Sequence, residues 1–170
     1  MELKLVKPND PILTRPCDVF NFSNPPMDPV ELAQNMVKFM YDNDGIGLAA
    51  NQVGIPYRVF AMRGAPENFV CFNPKLVQPS EMEVTLEEGC LTYPGLLVRI
   101  KRPQHIRVRF TMANGQVETK QFTGMTARIF QHELDHLDGV IFYNKAHRYH
   151  REQALRKWKN GEKYEMKITA

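Results

Sequence analysis

Six short β-rich segments crowd the middle of the chain, and the helices around them limit what it can become. Tyr57–Met62, Phe69–Asn73, Glu83–Glu87, Leu96–Ile100, Ile106–Met112 and Gln116–Phe122 have strand-like length and composition. Asn114-Gly115, between the last two, is a hairpin signal. Before them, Asp28-Pro29 opens a helix: Asp caps it, Pro takes its first position, and Glu31 falls in its first turn. Leu32, Met36, Val37 and Met40 follow at helical spacing until Asn43-Asp44-Gly45 stops the run. After the strands, a second helix starts near Thr123-Gly124, keeps Ile129, Phe130, Leu134 and Leu137 in helical phase, and meets a C-terminal cap at Gly139. A short strand, Val140–Tyr143, and a third helix, His147 to Asn160 closed by Gly161, complete the reading. Helix, strands, helix, helix predicts an α+β fold with mostly antiparallel sheets. The proline-rich stretch over 8–29 reads as extended wrapping and not as a linker.

One domain is expected from 170 residues. Composition excludes several classes. At 43% hydrophobic and 24% charged, the chain is ordinary for a globular protein, which rules out a disordered or fibrous one. No apolar run reaches the roughly 18 residues of a membrane span. The start, MELKLVKPNDP, lacks the apolar core of a signal peptide. Three cysteines, Cys17, Cys71 and Cys90, are too few and too odd in number for a disulfide framework, so a reducing cytoplasm is expected. Positive charge gathers at the end: from Lys145 onward there are eight Lys or Arg against three Glu, in a chain whose net charge is +3. A basic end on a near-neutral body suits an anionic partner, and equally a solvated helix face.

The most specific local signal is His132-Glu133-Leu134-Asp135-His136, an HExxH pattern on the second helix. Spacing i, i+4 puts both imidazoles on one face, as two ligands of one tetrahedral metal require. Glu133 is set aside from them, able to reach a water and not the metal itself. A catalytic site needs a third protein ligand and an open position. A histidine six residues after His136 would supply it in one zinc-protease pattern, but Phe142 stands there. Glu162 and Glu165 lie downstream in a charged tail; His147 and His150 fall on the basic helix. Cys90 is the better candidate, because Gly89, Pro94 and Gly95 punctuate its segment into a turn leaving a strand. A thiolate beside two imidazoles suits Fe(II), Zn, Co or Ni.

A third block, Gly45-Ile46-Gly47-Leu48-Ala49-Ala50-Asn51-Gln52, follows the first helix. It is not a nucleotide fingerprint, since it lacks the third glycine and a strand before it. Alone it reads as a tight packing loop, with Gln52 its one long amide.

Taken together and in order, GIGLAANQ, EGCLT and QHELDHLDG resemble the three signature motifs of the peptide deformylase family, and the resemblance runs over nearly the whole chain. It implies mostly antiparallel sheets packed around a central HExxH helix, with an N-terminal helix and a C-terminal basic helix. It implies a hydrolase that removes the formyl group from N-formylmethionyl nascent peptides and releases formate. Cys90, His132 and His136 become the metal ligands, with Fe(II) as the physiological metal and Zn, Ni or Co as substitutes. Glu133 becomes the general acid and base, and Gln52 and the Leu91 N–H the oxyanion donors. Ile46, Gly47, Leu86, Glu88 and Gly89 then lie along the substrate cleft, with Met125 and Ile129 behind it. Residues 1–146 are expected to form the catalytic metallohydrolase core, and 147–170 a basic helix and short tail on the same domain. A cytoplasmic monomer is expected, whose basic helix docks on ribosomal RNA phosphate by counterion release. The chain departs from the family pattern at Thr92, where serine is usual, and at Leu96-Leu97-Val98, where an arginine is often found. It departs again at Arg128, a position near the pocket that is often apolar.

Overall fold

The computed structural model describes residues 1–64 and 66–161; Glu162, Glu165 and the rest of the tail lie outside the described residues. Helix α1 spans Pro29–Asp42. The Asp28 carboxylate accepts the Val30 N–H at 2.9 Å, and Pro29 occupies the first turn, where its missing N–H costs nothing. Seven strands follow: β1 (Gly47–Ala49), β2 (Val59–Met62), β3 (Phe69–Pro79), β4 (Glu83–Cys90), β5 (Tyr93–Pro103), β6 (His105–Thr111) and β7 (Val117–Thr123). Helix α2 runs Gly124–Leu137 and α3 runs Arg148–Lys159. Gly139, at φ 74, takes the left-handed conformation that ends α2. Among the described residues the strands form two sheets, a five-stranded one ordered β1-β2-β3-β6-β7 and a two-stranded arm, β4-β5. Every paired strand is antiparallel.

The five-stranded sheet sorts its side chains by the period of two. Leu48, Val59, Ala61 and Phe72 pack with Leu32, Met36 and Met40 of α1. Ala49, Phe60, Met62, Ile106, Val108 and Phe110 pack on the other face with Ala127, Ile129 and Phe130 of α2. The arm has its own cluster, in which Leu96, Val98 and Ile100 meet Ile141, Phe142 and Ala146. Helix α2 touches strands of both sheets.

The structure differs from the sequence reading in several places; in the arm, β4 runs on past Glu87 to Cys90, and β5 spans Tyr93–Pro103 where Leu96–Ile100 is expected. The GIGLAANQ block is not a loop but strand β1 followed by a 3-10 turn, Ala50–Val53, buried from Gly47 to Val53. Strand β3 runs on past Asn73 to Pro79, because bulges take Pro74 and Val77 out of the ladder with β6. Asn73 holds φ 50 at the first bulge, and its amide exchanges hydrogen bonds of 2.8 and 2.9 Å with the Phe20 backbone. The strand expected over Val140–Tyr143 is absent; a 3-10 turn spans Phe142–Lys145 instead. Ile141 and Phe142 are buried singly under the arm, so their apolarity serves a cluster and not a ladder.

Candidate metal centre

The last turns of α2 and the end of β4 place Cys90, His132 and His136 together, with ligand atoms all within 4.8 Å of one another. Cys90 Sγ lies 3.3 Å from His136 Nε2. All three side chains are buried. The ladder between β4 and β5 shifts between Glu88 and Cys90, a bulge at Gly89 that brings both neighbouring side chains inside. Among the described residues no fourth cysteine, histidine or carboxylate joins the three.

The atoms around them are assigned by hydrogen bonds. His132 Nδ1 meets Glu88 Oε1 at 2.9 Å. A proton on Nδ1 facing that carboxylate leaves the Nε2 lone pair free, and Nε2 is buried without a hydrogen-bond partner. An orphaned imidazole nitrogen beside a thiol and a second imidazole is the donor set that a borderline-soft divalent metal takes. Burial, then the neighbouring His132 and Arg102, holds His136 well below the usual histidine range, so it offers a neutral nitrogen. Burial and the nearby Glu133 push the Cys90 thiol up to about 12. A bound cation would reverse that and take the thiolate.

Glu88 is the hub beneath the ligands. Arg102 grips it with two bonds, Nε to Oε2 at 2.6 Å and Nη2 to Oε1 at 3.0 Å, and reaches Asp135 Oδ2 with Nη1 at 2.7 Å. Arg128 Nη1 adds a bond to Glu88 Oε2 at 2.7 Å and one to the Ile100 carbonyl at 2.8 Å. Burial alone would raise the Glu88 carboxyl, but the His132 hydrogen bond and the Arg102 charge hold it well below the usual carboxylate range. Arg102, Asp135 and Asn51 were missed by sequence reasoning. Arg102 carried a signal: it continues the alternation of Leu96, Val98 and Ile100 along β5, a charge at a core-facing position. Asn51 donates to the His136 carbonyl at 2.7 Å across 85 residues, which no local pattern announces.

Glu133 is fully buried, and neither carboxylate oxygen has a hydrogen-bond partner. Burial first, then the charge of Glu88, raises it well above its ordinary value. Its carboxylate lies over Gly47, where an added Cβ would stand 2.6 Å from Oε2. Gly47 is therefore fixed by close approach and not by turn geometry. The Gln52 amide is oriented from behind: Oε1 accepts the Ala49 N–H at 2.8 Å, which turns Nε2 toward Thr92 Oγ1 at 3.0 Å and Cys90 Sγ at 3.4 Å. Thr92 thus keeps the hydroxyl contact that a serine would make. Leu91 is half-buried in the same turn, its Cδ1 2.8 Å from where a Cβ on Gly45 would sit.

A narrow cleft opens beside His132, lined by Ile46, Gly89, Met125, Ile129 and the Glu88 and Arg128 side chains among others. Leu86 stands two residues before Glu88 on β4, opposite Ile100, and is not among the lining residues. Phe142, at the position where a third histidine would stand, packs its ring 5.3 Å from that of His132.

Fold and donor set together define a class, the HExxH hydrolases, here with a cysteine beside the two histidines. Residues 2–152 match the model of the polypeptide deformylase family. A peptide deformylase of Maricaulis maris is 39% identical over 89% of this chain and 93% of its own length. A shorter match, 40% identical, covers 67% of this chain and 59% of a Rhodopirellula baltica peptide deformylase. The crystal structure of the Thermus thermophilus peptide deformylase superposes with a TM-score of 0.86 at 33% identity, covering 94% of both chains. A Plasmodium falciparum peptide deformylase gives 0.84 at 31% identity, covering 92% of this chain and 94% of that one. The chain belongs to the peptide deformylase family, whose hydrolases remove the N-terminal formyl group from nascent polypeptides. No helix among the described residues is long and apolar enough to cross a membrane.

Proposed function

We propose that Cys90, His132 and His136 hold one divalent metal, Fe(II) in the cell, and that Glu133 moves the proton of the deformylation reaction. One observation carries the reading: three ligand atoms lie within 4.8 Å of one another beside a buried carboxylate with no partner of its own. When bound, the metal supplies Lewis acidity and a nucleophile at neutral pH. Glu133 takes the proton of the attacking water and returns it to the departing amine nitrogen. A carboxyl raised toward neutrality by burial suits a group that must both accept and donate. Gln52 Nε2, aimed by the Ala49 N–H behind it, and the Leu91 backbone N–H donate to the developing oxyanion. One such donor lowers the barrier by about 3–4 kcal/mol. Ile46, Met125 and Ile129 receive the methionine side chain, with Gly89 and Glu88 along the peptide path; Gly47, under the Glu133 carboxylate, and Leu86, further along β4, stand outside that lining and join the path on the family resemblance.

In this reading α2 is the central metal-binding helix, α1 covers the far face of the five-stranded sheet, and residues 1–146 form the catalytic core. Residues 147–161 pack on that same domain, and the short tail expected with them, 162–170, lies outside the described residues. The enzyme works in the cytoplasm as a monomer, and α3 docks on ribosomal phosphate through Arg151, Arg156 and Lys159. Co-sedimentation with ribosomes at rising salt, before and after reversing those three charges to Glu, checks the docking. Formate release from formyl-Met peptides, measured on metal-loaded protein and on Cys90→Ser and Glu133→Ala variants, tests the chemistry. Turnover that survives Glu133→Ala would overturn it.

A further inference from the structure

The turn that carries Cys90, Leu91 and Thr92 belongs to the two-stranded arm, which shares no ladder with the five-stranded sheet. Its position therefore depends on side chains. Cys90↔Tyr93 is the last pair of the β4–β5 ladder, and beyond it Pro94 and Gly95 face α3. Trp158 Nε1 of α3 donates to the Pro94 carbonyl at 2.9 Å. Its ring stands edge-on to Tyr93 with centroids 6.2 Å apart. Gly95 takes φ 85, and a Cβ there would sit 3.8 Å from Trp158 Cδ1, so the indole lies directly on this bend. Tyr93 in turn donates to the Pro8 carbonyl at 3.1 Å and packs against Phe142 and Tyr143. Cys90 and Trp158 thus belong to one packed cluster.

Helix α3 buries no residue fully; Ala154, Leu155 and Trp158 form its half-buried stripe. A helix held so lightly gains little from covering the fold, yet it spends its one indole on the backbone of the ligand-bearing turn. The match to the family model stops at residue 152, and Trp158 lies outside it.

We infer that Trp158 is a positioning residue: it holds the Pro94–Gly95 bend and, through Tyr93, sets the Cys90 sulfur and the Leu91 N–H in place. The inference rests on the metal reading given above. Any partner that pulls on α3 then acts on the site through this contact.

The test uses the full chain loaded with cobalt. The sulfur-to-cobalt charge-transfer band, the rate of cobalt loss to a chelator, and kcat against KM are compared for the unmodified protein, Trp158→Phe and Trp158→Ala. Positioning partners of metal ligands alter affinity about 10–100-fold when removed. Trp158→Ala is expected to shift the band, speed cobalt loss about tenfold and lower kcat with KM little changed. Trp158→Phe keeps a ring but no donor, and is expected to fall between. Phe60→Ala, which opens a cavity in the five-stranded sheet away from α3, controls for stability and should leave the band in place. A Trp158→Ala protein that loses only thermal stability, with band, cobalt release and kcat intact, overturns the inference and spares the metal reading. An unmodified protein without the band overturns the metal reading, and the inference with it.

Discussion

The site lies between two regions that hold their residues by different means. On one side the five-stranded sheet presents Gly47 from a backbone ladder with apolar packing on both faces, and Gln52 from the 3-10 turn that follows it. On the other the β4–β5 arm presents Glu88 and Cys90, and it is tied to α2 by Arg102 and Arg128. A ladder fixes backbone to backbone without regard to charge. A buried ion cluster fixes direction, which is what an imidazole needs if its lone pair is to point one way. The arm keeps an apolar cluster of its own on one face and, through the ion cluster on the other, gains a defined tautomer at His132.

The largest effect is expected where the two regions meet. Glu133→Ala should lower kcat by roughly 10²–10⁴-fold with metal content unchanged, read by steady-state kinetics and metal analysis on one preparation. Loss of the metal would make Glu133 a ligand and undo the division. Next, Phe60→Ala in the sheet and Arg102→Met in the arm should each cost about 3–5 kcal/mol in denaturant unfolding, by opening a cavity in one case and stranding buried carboxylates in the other. They should part on metal: Arg102→Met is expected to weaken binding about 10–100-fold, and Phe60→Ala to leave it near normal. Equal metal loss in both would mean that the regions are not distinct.

Substrate choice comes third. Burying a methionine side chain among Ile46, Met125 and Ile129 is worth roughly 1.5–3 kcal/mol. Formyl-Met peptides should therefore exceed formyl-Ala peptides in kcat/KM by about 10–150-fold, and equal values would remove the pocket. The smallest effect is at Thr92, which bridges the regions by accepting from Gln52 at 3.0 Å. Thr92→Ala should cost about 1 kcal/mol of stability, and Thr92→Ser much less.

The same contrast governs what the sequence discloses. Helix α1 could be placed to the residue, because Asp28 and Pro29 act on their own neighbours. Helix α2 ends at Gly139 for an equally local reason. The histidine pair is visible for the same cause, since i, i+4 is a property of one helix. Cys90 needed more: its Gly- and Pro-marked turn suggested a ligand, and family resemblance paired it with residues 42 and 46 positions away. Arg102 and Arg128 work through contacts 14 to 44 residues distant and through carbonyls of another strand, which no spacing rule reaches. Strand β1 was hidden because Gly47, Leu48 and Ala49 lack β-branched or aromatic residues; the approach of Glu133 demands a small residue at Gly47. The segment after Gly139 misled for the opposite reason. Its apolar residues look like a strand, but the turn leaves no neighbour to pair with.

The central claim is that a cysteine and two histidines share one metal with a position left open. X-ray absorption at the metal edge of the zinc- or cobalt-loaded protein tests it most directly. One sulfur is expected at about 2.3 Å and two imidazole nitrogens at about 2.0–2.1 Å, with the remaining scatterer a light atom that changes when a small ligand is added. A shell without sulfur, or one closed by a fourth protein ligand that no added ligand displaces, would contradict it.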